Sequence, residues 1–297
     1  MVDYKDINNK NEYIHYRDNQ IYKLEKLGKE WTESKYKQAV LLSYWYETYE
    51  KLLRKEENFK KQKKYFKYKR GQILFVNFGY RIGHELGGNH YCVVVSNNDS
   101  INSGNITVVP LRSFKNKINE RFQVNLENSL QMSIVYNLKK TISNLKEYGE
   151  TNKTIVNTLE YISNIENEDL ILDSFDNLLE ECSDNYKLVN LINNAKEYFF
   201  NKNIDELSKS FKNIKAYIEK RIEKTEKEIP LMQNKLKKAL ELNKESVADI
   251  NQITTISKLR ILNPRRKEDT LSNVTLDSKY MDQINNKIKE LFVFDKK

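Results

Sequence analysis

The chain has 297 residues, enough for one large domain or two small ones, and a formal net charge of +9 from 51 basic and 42 acidic side chains. No apolar run approaches the length of a bilayer span and the opening residues form no signal-peptide core, so the expectation is a cytoplasmic protein with no membrane partner. Two cysteines, Cys92 in an apolar run and Cys182 in a helical pattern, argue against a disulfide framework, and no Cys/His spacing suggests a metal site or a cofactor.

Along the chain, residues 18–66 repeat apolar side chains at intervals of three and four, and Trp31, Ala39, Leu42, Trp45, Tyr46, Tyr49, Leu52 and Leu53 form an aromatic stripe. This reads as a helical arm over residues 1–66. It ends in the basic run Lys60 to Arg70, which is either a solvated tail or a surface on which Tyr65, Phe66 or Tyr68 stack bases. The period then switches to that of strands, at Ile73–Phe78, Tyr91–Ser96, Ile106–Leu111 and Phe122–Leu126, within a segment 67–128. From 129 to 244 the spacing is helical again. Breaks are expected near Gly149, at Ser183 to Asn185 and at Asn201 to Asn203, with Pro230 as a kink in the last helix. Strand character returns at Val247–Ser257, inside a closing segment 245–297.

Charge follows this division. Residues 1–70 carry a net +7, residues 136–210 a net −6 and residues 211–297 a net +7. A basic protein with one acidic block implies a polyanionic partner, and a segment that covers the basic groove as a mimic, sets dimer geometry or docks a partner.

Six of the eight glycines and two of the three histidines fall between Gly71 and Gly104. Gly79, Gly83, Gly87 and Gly88 are too dense for a helical composition. They mark a loop between two strands that needs positive φ or close backbone approach. The loop is not a phosphate-binding one, because no Lys-Ser/Thr follows and the next element is a strand.

Five pieces of this sequence, in order, resemble the MazF/PemK endoribonuclease toxins of bacterial toxin–antitoxin systems. They are Arg70-Gly71-Gln72-Ile73 with its strand and Gly83-His84-Glu85-Leu86-Gly87-Gly88, the strand Cys92 to Asn98, and the strand Thr107-Val108-Val109-Pro110-Leu111. The late strand Ser246 to Arg260 and the closing helix Leu276 to Phe292 complete the set. The resemblance implies an α+β fold: a small SH3-like (MazF/CcdB-type) antiparallel β-barrel, here with an N-terminal helical arm and a large all-helical insertion. It also implies a metal-independent endoribonuclease that cleaves single-stranded RNA, including mRNA, by attack of the ribose 2′-hydroxyl on the adjacent phosphate. A protein antitoxin would control it, and the family's barrels pair as homodimers. Two alternatives stay open: a non-catalytic RNA-binding module, and a toxin of the same fold that acts on DNA gyrase.

The family's usual Arg-Pro after the glycine pair is replaced here by His90-Tyr91. The Thr that usually follows the Val-Val-Pro-Leu strand is replaced by Arg112, then Ser113. The cation and the proton handler have exchanged places across the groove, and a branch of the family with helical arms carries histidine at this point. His90 is therefore expected as general acid or base, Arg112 as phosphate clamp and Ser113 as a hydrogen-bonding helper. His84, Glu85, Gly87, Gly88, Asn89, Gln252 and Thr254 are the expected substrate-binding residues. Glu85 is also a candidate to hold the loop or to orient His90. Arg260, Arg265 and Arg266 are read as phosphate contacts.

Overall fold

The structure is a computed structural model that describes residues 3, 5–59, 64–241 and 245–293. It divides into two compact units, Met1–Ser133 with Lys244–Lys297, and Ile134–Asn243. The Lys60 to Lys63 part of the basic run lies outside the described residues.

The first unit carries one antiparallel sheet of seven strands: β1 (Ile73–Asn77), β2 (Asn89–Val94), β3 (Asn105–Ser113), β4 (Gln123–Asn125), β5 (Ser246–Asp249), β6 (Thr254–Ser257) and β7 (Ile261–Asn263). They pair in the order β4-β5-β3-β2-β1-β7, with β6 also on β3. Among the described residues this path is open. The two end strands are three residues long, β4 pairs only with β5 and β7 only with β1, so the pairing does not close the ring that the resemblance implies.

The late strand differs from expectation in one respect. Val247–Ser257 does not run unbroken: β5 and β6 both lie along β3, separated by a 3-10 turn, Ile250–Gln252. The turn falls between the pairs Val108↔Thr254 and Leu111↔Ala248, level with Val109 and Pro110. Pro110 has no N–H for a ladder, which disfavours continuous pairing there. The core of the sheet is β-branched and aromatic, with Leu74, Val76, Phe78, Cys92, Val94, Val108 and Ile261 in one buried cluster. The helix α7 (Ser278–Phe292) buries Tyr280, Met281 and Ile284 and lies against β4, where the Tyr280 hydroxyl donates to Glu127 at 2.7 Å.

The arm is two helices, α1 (Lys10–Ser34) and α2 (Tyr36–Phe59), parted at Lys35, where the backbone is not helical (φ −145°). On α2, Ala39 is buried and Leu42, Trp45 and Leu52 half-buried, while Tyr46, Tyr49 and Leu53 of the stripe stay exposed. The Lys55 ammonium donates to the Leu259 carbonyl at 3.1 Å.

The aromatics after the arm are not a stacking surface. Tyr68 is buried and donates through its hydroxyl to the Pro264 carbonyl at 2.8 Å, Phe66 packs against the same core, and Tyr65 stacks on Phe59 at 4.3 Å. Beside them lies a buried ion pair, Lys258 with Asp99 at 2.7 Å, both side chains 2% exposed. The ammonium also donates to the carbonyls of Ser100 (2.8 Å) and Phe66 (3.1 Å), and the second carboxylate oxygen accepts from the Tyr68 N–H (2.8 Å). Every donor of the ammonium is thus used, the condition under which a buried charge is tolerated.

The second unit is helical. Helix α3 (Ser129–Asn164) runs into it, followed by α4 (Glu168–Glu181), α5 (Tyr186–Phe200) and α6 (Ile204–Glu241). Ile155, Phe175, Leu178, Ile192, Ile214 and Ile218 centre its core. Breaks occur at the two asparagine-rich sites read from sequence. There Asn185 accepts from the Leu188 N–H (3.2 Å) and Asn203 from the Glu206 N–H (3.3 Å), capping the next helix. Glu168 and Asp169, with Asp205 and Glu206, occupy first helical turns, where negative charge is favoured, so part of the acidic block has a local helical purpose. Pro230 lies inside α6 without ending it.

No break occurs at Gly149, which α3 passes through. A Cβ added there would meet Thr225 Cγ2 at 3.7 Å, an ordinary contact. Gly149→Ala is therefore expected to stabilise this unit by about 0.5–1 kcal/mol, read by urea titration. A loss of stability would contradict the helical assignment at this residue.

Candidate active site

The glycine-rich loop leaves the sheet after Asn77 and re-enters at Asn89, residues that face each other across β1 and β2. Its base is closed by backbone bonds, Phe78 N–H to the Gly88 carbonyl and Gly88 N–H to the Gly79 carbonyl, each 2.8 Å. Gly79 must be glycine for two reasons. Its φ is +82°, and a Cβ there would lie 2.8 Å from the edge of the Trp45 ring.

Within the loop, Arg81 Nε donates to the Phe78 carbonyl (3.0 Å), and its guanidinium lies 3.7 Å from Glu85. From outside, Gln252 grips the loop backbone: its amide oxygen accepts from the Leu86 N–H (3.2 Å) and its amide nitrogen donates to the His84 carbonyl (3.4 Å). The 3-10 turn that interrupts the late strand is thus what brings Gln252 to the loop. A cavity of about 290 Å³ lies beneath, lined by Phe78, Arg81, Leu86, Pro110, Gln252 and Thr254 among others.

His90 is the second residue of β2 and half-buried. The β2–β3 register pairs Val94 with Val108, Val93 with Val109 and Cys92 with Pro110. Continued two residues toward the loop, it sets His90 level with Arg112, and residues so opposed share one face of the sheet. Burial pushes the ring below the ordinary histidine value of about 6.5. Backbone groups of Gly87 and Leu111 hydrogen-bond it and pull the other way, and the Arg112 charge adds to the lowering.

Arg112 is held from behind. One of its guanidinium nitrogens lies 2.8 Å from a carboxylate oxygen of Asp249, whose side chain is 7% exposed, while the Arg112 side chain remains 41% exposed. Because Arg112 pairs with Val247, Asp249 is its diagonal neighbour on the same face. The charge is anchored and still open to a ligand.

The other expected residues separate into groups. Ser113 follows Arg112 on the strand, so its side chain points to the opposite face. Glu85 is paired within the loop rather than with His90, and His84 is exposed on the loop. Gly87, Gly88 and Asn89 border a second, larger cleft facing the arm. Thr254 pairs with Val108 at the start of β6 and lines the smaller cavity.

Arg260 donates through one guanidinium nitrogen to the Phe78 carbonyl (3.2 Å) and lies 5.3 Å from the centre of the Trp45 ring. Arg265 likewise donates through Nε to the Ile261 carbonyl at 2.7 Å. Sequence reasoning missed Asp249, although a lone carboxylate among Val247, Ala248 and Ile250 was the signal that could have found it.

Residues 69–150 match a family model described as the PemK-like, MazF-like toxin of type II toxin–antitoxin systems, which bears out the resemblance over that stretch. The match takes in β1 to β4, the glycine loop, His90, Arg112 and the first part of α3. It reaches neither the arm nor the strand and 3-10 turn that supply Asp249 and Gln252. No curated protein matches the chain.

Proposed function

We propose, from the PemK-like, MazF-like toxin domain that this chain carries, that the protein is the toxin of a toxin–antitoxin pair and a metal-independent endoribonuclease acting on single-stranded RNA. The observation that carries this reading is the pairing of His90 with Arg112 on one face of the sheet, beside the glycine loop and backed by the buried Asp249.

His90, kept neutral by burial, takes the proton of the ribose 2′-hydroxyl as that oxygen attacks phosphorus. Arg112 lays its exposed nitrogens against the non-bridging oxygens as charge builds on the phosphorane. The bond to the 5′-oxygen breaks, that oxygen takes a proton from water, and a 2′,3′-cyclic phosphate is left.

The arm (1–66), the two parts of the sheet-bearing domain (67–128 and 245–297) and the helical insertion (129–244) serve as its organisation. An antitoxin chain would silence the site by covering Arg112, and pairing into a homodimer belongs to the same reading. Among the described residues no helix is long and apolar enough to cross a membrane, which is compatible with a cytoplasmic toxin.

The test is the pH dependence of RNA cleavage measured in EDTA. A neutral His90 is the active form, and burial favours that form. The acid limb of kcat/KM is therefore expected to fall below the ordinary histidine value of about 6.5 and to disappear in His90→Ala. An acid limb above that value, or one unchanged by the substitution, overturns the assignment of His90 as base.

A further inference from the structure

The arm adds a second cleft to the glycine loop. It is about 800 Å³ in volume and lies between α2 and the loop, well within the size range of small-ligand sites. Its aromatic residues are Tyr44 and Trp45 from the arm and Tyr80 from the loop, and its amides are Gln38, Asn77 and Asn89. Trp45 is fixed in place, its outer edge against Gly79 and Arg260 over its ring. Tyr44 is 64% exposed.

The charges in this cleft do not suit a phosphate. Arg81 is engaged by Glu85 and by the Phe78 carbonyl, and Glu47 of the arm is paired with Lys51. The lining is therefore close to neutral, with aromatic faces and amide donors and acceptors. That is the chemistry of a nucleobase, whose faces stack on aromatic rings while its edge bonds to amides.

Position supports the same occupant. Gly87, Gly88 and Asn89 border the cleft; His90, next along β2, points to the opposite face of the sheet, and its ring meets the Gly87 backbone. A chain whose phosphate lies on Arg112 would pass this short stretch of backbone with a neighbouring nucleotide. The helix that forms the outer wall, α2, lies outside the matched residues 69–150, so the cleft is an addition of this chain to the toxin domain.

We infer that the arm–loop cleft is a base-recognition subsite: it receives one nucleobase of single-stranded RNA next to the scissile phosphate, and the arm thereby sets which sequence is cut. The inference rests on the ribonuclease reading above.

The experiment uses the full chain with Trp31→Phe, which leaves Trp45 as the only tryptophan. Binding of a 2′-O-methyl single-stranded oligoribonucleotide, which offers no attacking hydroxyl, is followed in EDTA by Trp45 emission and by anisotropy of a label on the RNA. The expected result is saturable quenching of Trp45. An abasic residue at one position should remove the quenching and weaken binding roughly five- to hundred-fold, and Tyr44→Ala should weaken the intact oligonucleotide to a similar extent. Tyr44→Ala should also change the preferred cut sites on unmodified RNA.

RNA that binds and is cut in a His90-dependent way, with Trp45 emission unmoved and cut sites unchanged in Tyr44→Ala, overturns the subsite alone. RNA that is neither bound nor cut overturns both the subsite and the ribonuclease reading.

Discussion

Lys258→Met is expected to lower the stability of the sheet-bearing unit by about 3–5 kcal/mol, because it leaves the buried Asp99 carboxylate without its cation. The loss is not simply that of one ion pair. Lys258 also satisfies the carbonyls of Ser100 and Phe66, so three acceptors lose a donor at once where water has little access. Surface ion pairs of this chain, such as Lys29 with Glu25, belong to a different class, since water screens both charges and little is lost when one is removed.

The comparison that isolates the cause is Lys258→Met with Asp99→Asn in the same chain. The asparagine still accepts from the Tyr68 N–H but carries no charge, so the double variant is expected to regain part of the stability lost by the single one. Both tryptophans lie in the arm of this unit, which makes their emission during urea unfolding the appropriate readout. A loss below about 1 kcal/mol for Lys258→Met, or a double variant no better than the single, would contradict a structural role for the pair.

That pair also shows what the sequence could not convey. Ile256-Ser257-Lys258-Leu259 reads as the end of a strand with a lysine turned to solvent, and only the return of Asp99 from a remote loop makes Lys258 a core residue. Strands β1 to β3 were legible because Ile73–Phe78, Cys92–Val95 and Ile106–Leu111 are apolar and rich in β-branched side chains, and His90 and Arg112 stood out as candidate site residues at their ends.

The split between β5 and β6 was not legible, since its apparent cause, Pro110, sits on the neighbouring strand rather than in the late segment itself. Tyr65, Phe66 and Tyr68 were ambiguous for a related reason. A run of aromatics among lysines suits a solvated tail or a nucleic-acid surface, and the contacts with Phe59, Pro264 and the sheet core make these three packing residues instead.

The Arg112→Ala variant is expected to reduce RNA cleavage by roughly 10²–10³-fold, the range found when one preorganised donor to a developing oxyanion is removed. Truncation has a second consequence, because Asp249 is then left buried and unpaired. Adding Asp249→Asn removes that charge and should recover stability while cleavage stays slow. A double variant that cleaves at nearly the wild-type rate would mean that Arg112 serves only to neutralise Asp249, and the phosphate clamp would be lost from the mechanism.

The most direct measurement is the chemistry of the cut ends. A long single-stranded RNA is incubated in EDTA with the wild-type chain and with His90→Ala, and the termini of the fragments are identified. Discrete cuts that leave 2′,3′-cyclic phosphates and 5′-hydroxyls, and that fall by 10²-fold or more in the variant, are the result that a metal-free site built on His90 and Arg112 requires. Cuts that vanish on chelation, or that persist undiminished in His90→Ala, would contradict it.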